Sequence, residues 1–541
     1  MPSEHDAIVV GGGHNGLVCA GYLARAGLRP LVLERRSVLG GASVTETPWP
    51  GYRVSSLAYV VSLLRPEVVR ELELARFGYH AWEVAPEYFV PFPDGRHLYL
   101  WADMERTAAE IRRFSAADAA AYPAFDAHLA RLAQLVRPLL SAIPPRVGST
   151  RPRDLADQAR FAWSLRRLGA RGVADLVRLL GQSVTDLLDD WFESDAVKAA
   201  LVTQGAIGTY GAPSMPGTAY ILLHHWMGEL NGHLGAWGVV RGGMGAIADA
   251  LAASARAHGT TIRTDAPVER ILVRGGRAIG VVLASGEELR SRIVISSAHP
   301  RVTFGRLVDP GELPDSFNAA LGRYRSRSGT VKINLAIGEL PDFTAAPGRE
   351  PGPQHSGAIE LCPSIAYLER AFDDAKLGRP SAAPYAEGVI PTIYDRSIAP
   401  DGKHQLQFFC QYVPAAWADE DHGPELEAFA DRVIDGLTAL APNLRGSIEH
   451  RQVIGPFEMQ HEYGLVGGNI MHGELSLEQF FAWRPVPGWA DYRSPIRGLY
   501  QCGSGTHPGG GVMGAPGRNA ARVILASVGR GGRGRRGKRP A

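Results

Sequence analysis

The chain has 541 residues, more than one hydrophobic core usually organises, so two interleaved or consecutive domains are expected. Hydrophobic residues make up 45% and charged residues 21%, which suits a globular protein and excludes a disordered or collagen-like chain, while 64 glycines point to many turns and close backbone approaches. The formal net charge is +2, and no stretch of eighteen apolar residues occurs, so neither a strongly basic nucleic-acid binder nor a membrane-spanning helix is expected.

The first residues carry two acids before a short apolar run and lack the basic flank of a signal peptide, so a cytoplasmic location is the default expectation. Ala7 to Val10 read as a strand, followed by Gly11-x-Gly13-x-x-Gly16 and a helix with Leu17, Ala20, Leu23 and Ala24 on one face. Gly27 closes that helix, and Leu31 to Leu33 form a second strand ending in Glu34. This strand, loop, helix, strand, acid order is the dinucleotide fingerprint. Gly11 permits the tight turn, Gly13 the approach of a pyrophosphate, and Gly16 the packing of helix on strand. The helix N-terminus favours phosphate charge. Glu34 suits a ribose bearing both hydroxyls, so FAD or NAD is implied. The pair Gly40-Gly41 soon after favours an extended FAD.

Between Arg76 and Leu234 the spacing of apolar residues predicts a largely helical insertion. Its faces read mainly as core; a patch resting on a membrane surface, through which a lipid enters, is the alternative. Ala199 to Gly228 lack Asp, Glu, Lys and Arg and contain five glycines, which predicts a buried, irregular, pocket-lining segment. Gly242 to Gly259 read as a helix with flanking glycines. Gly243-x-Gly245-x-x-Ala248 mimics a second fingerprint, but "AWGVV" is a poor parallel strand and Asp265 stands before a proline, so a nicotinamide site is disfavoured. Residues 268–290 predict antiparallel strands joined by turns at Gly275-Gly276 and Ser285-Gly286. "RIVISSA" reads as the next strand, and 302–489 mix strands and helices.

Near the C-terminus, Leu499 to Cys502 predict a strand. "GTHPGGGVMGAPGRNAA" follows, with six glycines in seventeen residues leading into a last helix. Gly509-x-Gly511-x-x-Gly514 lacks a following strand and acid, which argues against another nucleotide. Residues 530–541 carry six cations and no acid, as expected of a solvated disordered tail, with weak binding to nucleic acid or anionic lipid as the alternative. Cys19, Cys362, Cys410 and Cys502 lie far apart, so no disulfide framework, dithiol centre or metal site is expected. P-loop, HExxH and GxSxG motifs are absent from the sequence.

"LERRSVLGGASVTE", "SLLRP", "WFESD", "LLHHWMGELNGHLGAWGVVRGGMGAIADAL" and "MHGELSLEQFFAWRPVP" together resemble the phytoene desaturase-like FAD-dependent oxidoreductases. Within them the resemblance is to the subgroup of pyridine nucleotide-disulfide oxidoreductase domain-containing protein 2 and the flavoprotein-type carotene ketolases. It covers about Asp6 to Leu525.

It implies an α/β, two-dinucleotide-binding-domain flavoprotein. The Rossmann-like FAD domain would be built from 1–75, 235–301 and 490–529, and an α+β substrate domain from 76–234 and 302–489. Gly11, Gly13, His14, Asn15, Gly16, Glu34, Arg35, Gly40, Gly41, Ala42, Val268, Gly503, Gly511, Val512 and Met513 would contact FAD. The late glycine loop would lie along the ribityl chain and the pyrimidine edge of the flavin. His472, His507 and His225 are the candidate catalytic groups, with His224, Trp483 and Arg484 as further candidates for the pocket. Ala42 stands where related amine oxidases place Arg, which weakens the transfer of amine chemistry. The expected reaction is dehydrogenation or oxidation of an apolar polyene, isoprenoid or lipid-like substrate by hydride transfer to flavin N5. The alternatives are an amine or metabolite oxidase, and an interaction protein that keeps the flavin fold with little turnover. Peripheral membrane contact is left open.

Overall fold

The computed structural model describes residues 4–166 and 169–535. A five-stranded, wholly parallel sheet has the order Thr261–Arg263, Pro30–Leu33, Ala7–Val10, Val294–Ser296 and Leu499–Gln501. Its strands come from both ends and the middle of the chain. They are short apolar runs because both faces are covered. One face (Ala7, Val9, Val32, Ile295) packs on the helices His14–Arg25, Gly245–Ala257 and Ala515–Arg535. The other (Ile8, Val10, Leu31, Leu33, Val294) packs on a three-stranded antiparallel layer, Val268–Val273, Ala278–Leu283 and Glu288–Arg290. In that layer Gly275, Gly276 and Gly286 take the positive φ that its turns require.

A second sheet has seven strands in the order Ile448–Ile454, Thr330–Ile337, His404–Gln411, Tyr385–Val389, Ala358–Leu361, Tyr88–Pro91 and His97–Leu100. Neighbours are antiparallel except Ala358–Leu361 with Tyr88–Pro91. Val331, Ile333, Leu335, Phe408 and Cys410 face the amphipathic helix Gly423–Leu440, which buries Phe429, Val433 and Leu437 against them. The alternate residues face a layer of helices between Met104 and Trp226. Toward these helices and, at one end, toward residues 53–59 the sheet presents Lys332, Asn334, Gln405, Gln407, Gln411, Glu387 and Glu360, all buried.

Two readings of the sequence are corrected, those of residues 199–228 and of the last helix. Residues 199–228 are not irregular throughout: Asp195–Val202 and Thr218–Trp226 are helices, Thr203–Gly205 is a short 3-10 turn, and the glycine- and proline-bearing stretch 206–217 is irregular. In keeping with the reading of "AWGVV" as a poor parallel strand, Gly238–Val240 pairs antiparallel, with Ala81–Glu83 from the segment assigned to the substrate domain. The last helix continues to Arg535, past the expected start of the tail; residues 536–541 lie outside the described residues. The helical insertion also leaves apolar groups in water, with Trp163 66% and Val177 65% exposed on helices Pro152–Leu165 and Gly169–Gly181. Among the described residues no helix is long and apolar enough to cross a membrane.

Candidate active site

A cleft of about 420 Å³ opens at the C-terminal ends of the parallel strands, the edge where open α/β sheets take their ligands. Its wall includes Gly11, Gly13, His14, Asn15, Glu34, Arg35, Gly40, Gly41, Ala42, Val268 and Gly503.

The backbone explains the glycines. A Cβ on Gly16 would stand 2.2 Å from the Gly11 carbonyl oxygen, so the turn closes only without one, and Gly11 itself has φ +95°. A Cβ on Gly13 would meet nothing nearer than the Gly40 carbonyl oxygen at 4.0 Å, which leaves its cleft side clear. The Gly40 amide donates to the Gly12 carbonyl at 3.0 Å, joining the glycine pair to the first loop. Glu34 Oε2 accepts from the Gly12 amide at 2.7 Å and Oε1 from the Arg36 amide at 2.9 Å, which fixes its carboxylate at the mouth of the turn.

The late glycine loop reaches the same place. Asn15 Nδ2 donates to Ser504 Oγ at 2.9 Å across 489 residues of sequence. A Cβ on Gly517 would lie 2.3 Å from the Asn15 carbonyl oxygen, so the first and last helices cross in close contact. Arg484 secures this region from behind. It is fully buried, and its guanidinium donates to the carbonyls of Met471, Gly473, Glu474, Ser504 and Thr506 at 2.6–3.3 Å. Trp483 beside it is 42% exposed.

His14, Ala42, Leu465, His472 and Ser504 also bound a second chamber of about 140 Å³. Its other walls are largely apolar, with Leu57, Ile207, Trp237, Phe409 and Ile470 among them; Tyr59, His225, Lys332, Gly511 and Val512 complete it. His14 Nε2 and His472 Nδ1 are buried there without hydrogen-bond partners. Burial drives the pKa of His14 down to about 4 and that of His472 to about 3, so both rings are neutral at neutral pH. His225 Nδ1 lies 2.9 Å from the Gln204 carbonyl and therefore carries the proton. Burial lowers its pKa to about 4. His472 and Val512 have φ +55° and +53°, a conformation costly for side chains with a Cβ and held here by the loop contacts.

Three expected contacts are corrected. His507 lies off both walls: its Nε2 is 2.7 Å from the Leu139 carbonyl and its ring packs edge-on to Phe481, so it ties the loop to a helix of the insertion. Gly16 sits one layer behind the cleft, where it closes the turn. Met513 is buried against Leu63 and Ala515 and accepts the Arg65 amide on its carbonyl. His224 is wholly buried behind the chamber with neither ring nitrogen bonded.

Sequence reasoning missed His299, Tyr59 and Lys332. His299 lies on the cleft wall three residues past the strand Val294–Ser296, with Nε2 2.9 Å from Ser326 Oγ; a polar residue just past a parallel strand was the available signal. Tyr59 and Lys332 carry no local signal. Cys19 and Cys502, separated in sequence, are buried neighbours, and burial and the Cys19 thiol push the Cys502 thiol's pKa up.

The model of the flavin containing amine oxidoreductases matches residues 16–525. The chain belongs to this family of flavoproteins. It is 42% identical over 548 residues to pyridine nucleotide-disulfide oxidoreductase domain-containing protein 2 of Rattus norvegicus, covering 98% of this chain and 94% of the relative. It is 24% identical to a phytoene desaturase (lycopene-forming) of a Paracoccus species, covering 97% and 98%. Cyclohexylamine oxidase of Brevibacterium oxydans shares the fold, with TM-score 0.56 at 17% identity over 97% and 100% of the two chains.

As a member of the flavin containing amine oxidoreductases, the chain is an FAD-dependent oxidoreductase. The residues fit that cofactor: a cradle kept open at Gly13, a fixed carboxylate at Glu34, and two unpartnered buried imidazole nitrogens where cleft meets chamber. FAD supplies a two-electron acceptor when bound, and the protein's part is to orient substrate and exclude water.

Proposed function

We propose that the chain dehydrogenates an apolar substrate, which loses a hydride to the flavin. The observation that carries this is the second chamber. It is contiguous with the cofactor cleft, walled mainly by aliphatic and aromatic side chains, and has no Asp or Glu in its lining among the described residues. A cationic amine would leave its charge unpaired in such a site. A relative named as a phytoene desaturase supports the same reading.

In this reading the dinucleotide runs along Gly11, Gly13, Glu34, Gly40 and Val268. Ala42, His472, Gly511 and Val512 would hold the flavin end, with His14 and His472 available as neutral hydrogen-bonding partners. The exposed Trp163 and Val177, on helices that carry two arginines each, support delivery of substrate from a membrane surface.

Anaerobic mixing of the yellow holoenzyme with candidate compounds tests the reading by loss of flavin absorbance. Isoprenoid or lipid compounds should bleach the flavin and primary amines should not. Bleaching by amines alone would overturn it.

A further inference from the structure

We propose that Tyr59, Glu387 and Glu360 form a buried proton relay that opens on the apolar chamber through the Tyr59 phenol. The inference rests on the dehydrogenation reading and names where the substrate's proton goes. The strand register places the two glutamates in one row across the seven-stranded sheet with Phe409 and Lys332, and Tyr59 reaches that row from outside the sheet. Lys332 is opposite Phe409, Phe409 opposite Glu387, and Glu387 opposite Glu360.

Both glutamates are completely buried, and their carboxyls occupy adjacent strands on the same face. Glu387 accepts from Tyr59 Oη at 2.6 Å and from Gln204 Nε2 at 2.9 Å, with Tyr385 Oη at 3.4 Å. Glu360 accepts only from Thr203 Oγ1 on one oxygen, at 2.9 Å, and its other oxygen has no partner. The groups facing the pair are otherwise tyrosines and one thiol: Tyr59, Tyr88, Tyr385 and Cys362. Lys332 stands beyond, with Nζ 5.1 Å from the Tyr59 ring centroid and bonded to Asn334 Oδ1 at 2.5 Å.

Two carboxyls this close in a dry site do not both ionise. Burial, and for Glu360 also the charge of Glu387, push both pKa values up; in the proposed relay the resting pair holds one proton between its two carboxyls. Tyr59 is the member that also lines the chamber.

Dehydrogenation breaks a C–H bond, whose hydride goes to the flavin, and a neighbouring X–H bond, whose electron pair forms the new double bond. The X–H proton passes to the Tyr59 oxygen as Tyr59 gives its own proton to Glu387, and the pair goes from one proton to two. The reverse shift later empties it. Gln204 ties the relay to the catalytic chamber a second time, because its backbone carbonyl holds His225 and its side chain holds Glu387.

The test uses the holoenzyme without any substrate, so its outcome is independent of whether the dehydrogenation reading survives. Infrared spectroscopy should show the carbonyl band of a protonated carboxylic acid that persists at about pH 8 and is lost in Glu360→Gln. Transfer into heavy water then reports exchange of that proton. In Tyr59→Phe, which keeps the ring and its packing, exchange should slow at least ~10-fold. Absence of the band from the wild-type protein, its survival in Glu360→Gln, or equal exchange rates in Tyr59→Phe and wild type would each overturn the proposal. If Glu360→Gln fails to retain flavin, the wild-type band and the Tyr59→Phe rates decide alone.

Discussion

The two sheets bury residues by opposite means. In the parallel sheet the central strands Ala7–Val10 and Pro30–Leu33 are wholly apolar and the chemistry at the sheet's edge is done by backbone: glycine turns, amide donors and a helix N-terminus, with Glu34 locked by amides. In the seven-stranded sheet one face is equally apolar, but the other buries a lysine, two glutamates and three glutamines. The first design has no room for a Cβ at Gly11, Gly16 or Gly40, whereas the second carries charges that burial makes costly. One sheet is built to hold a cofactor of fixed shape, and the other stores polar groups beside an apolar chamber.

The largest expected effect probes that second cost. Burial lowers the pKa of Lys332 from 10.5 to about 7, so between those values the unfolded chain binds the extra proton and stability rises with pH. Below pH 7 the full penalty is present, on the order of 5 kcal/mol. Lys332→Met should therefore raise the melting temperature at pH 6, with the gain shrinking toward pH 10. A gain independent of pH would show that the lysine is not held neutral.

Arg484→Met tests the seam between the two regions. It leaves five buried carbonyls without their donor. It should cost about 4 kcal/mol, read by thermal unfolding, and should release FAD as the loops bearing His472 and Ser504 part. In the parallel half, Gly16→Ala forces the turn apart at the Gly11 carbonyl and should cost about 3 kcal/mol, with FAD lost on gel filtration. An alanine gain there, as at an ordinary helix position, would contradict the turn geometry. Asn15→Ala removes the link between first and last glycine loops and should cost about 1 kcal/mol, visible as a modest rise in the FAD dissociation constant.

The legible and illegible parts divide along the same line. The first loop, Glu34 and the glycine pair were readable because each acts through local backbone conformation. His507 was misplaced because a histidine in a glycine loop gives no sign of whether it faces a cleft or, as here, the Leu139 carbonyl. Lys332, Glu387 and Glu360 were missed because each lies in an ordinary-looking segment and acquires meaning only from strand register, and Tyr59 because only its long-range hydrogen bond to Glu387 marks it.

The sequence by itself determined the dinucleotide half, since a tight turn, a helix start and an acid at fixed spacing are consequences of short-range sterics and hydrogen bonding. Only the tertiary structure decided that the two glycine loops, 489 residues apart at Asn15 and Ser504, meet over one cleft. It also decided that a lysine and two glutamates share one row behind the chamber. The reason is that pairing across a sheet is set by long-range register, which no local pattern encodes.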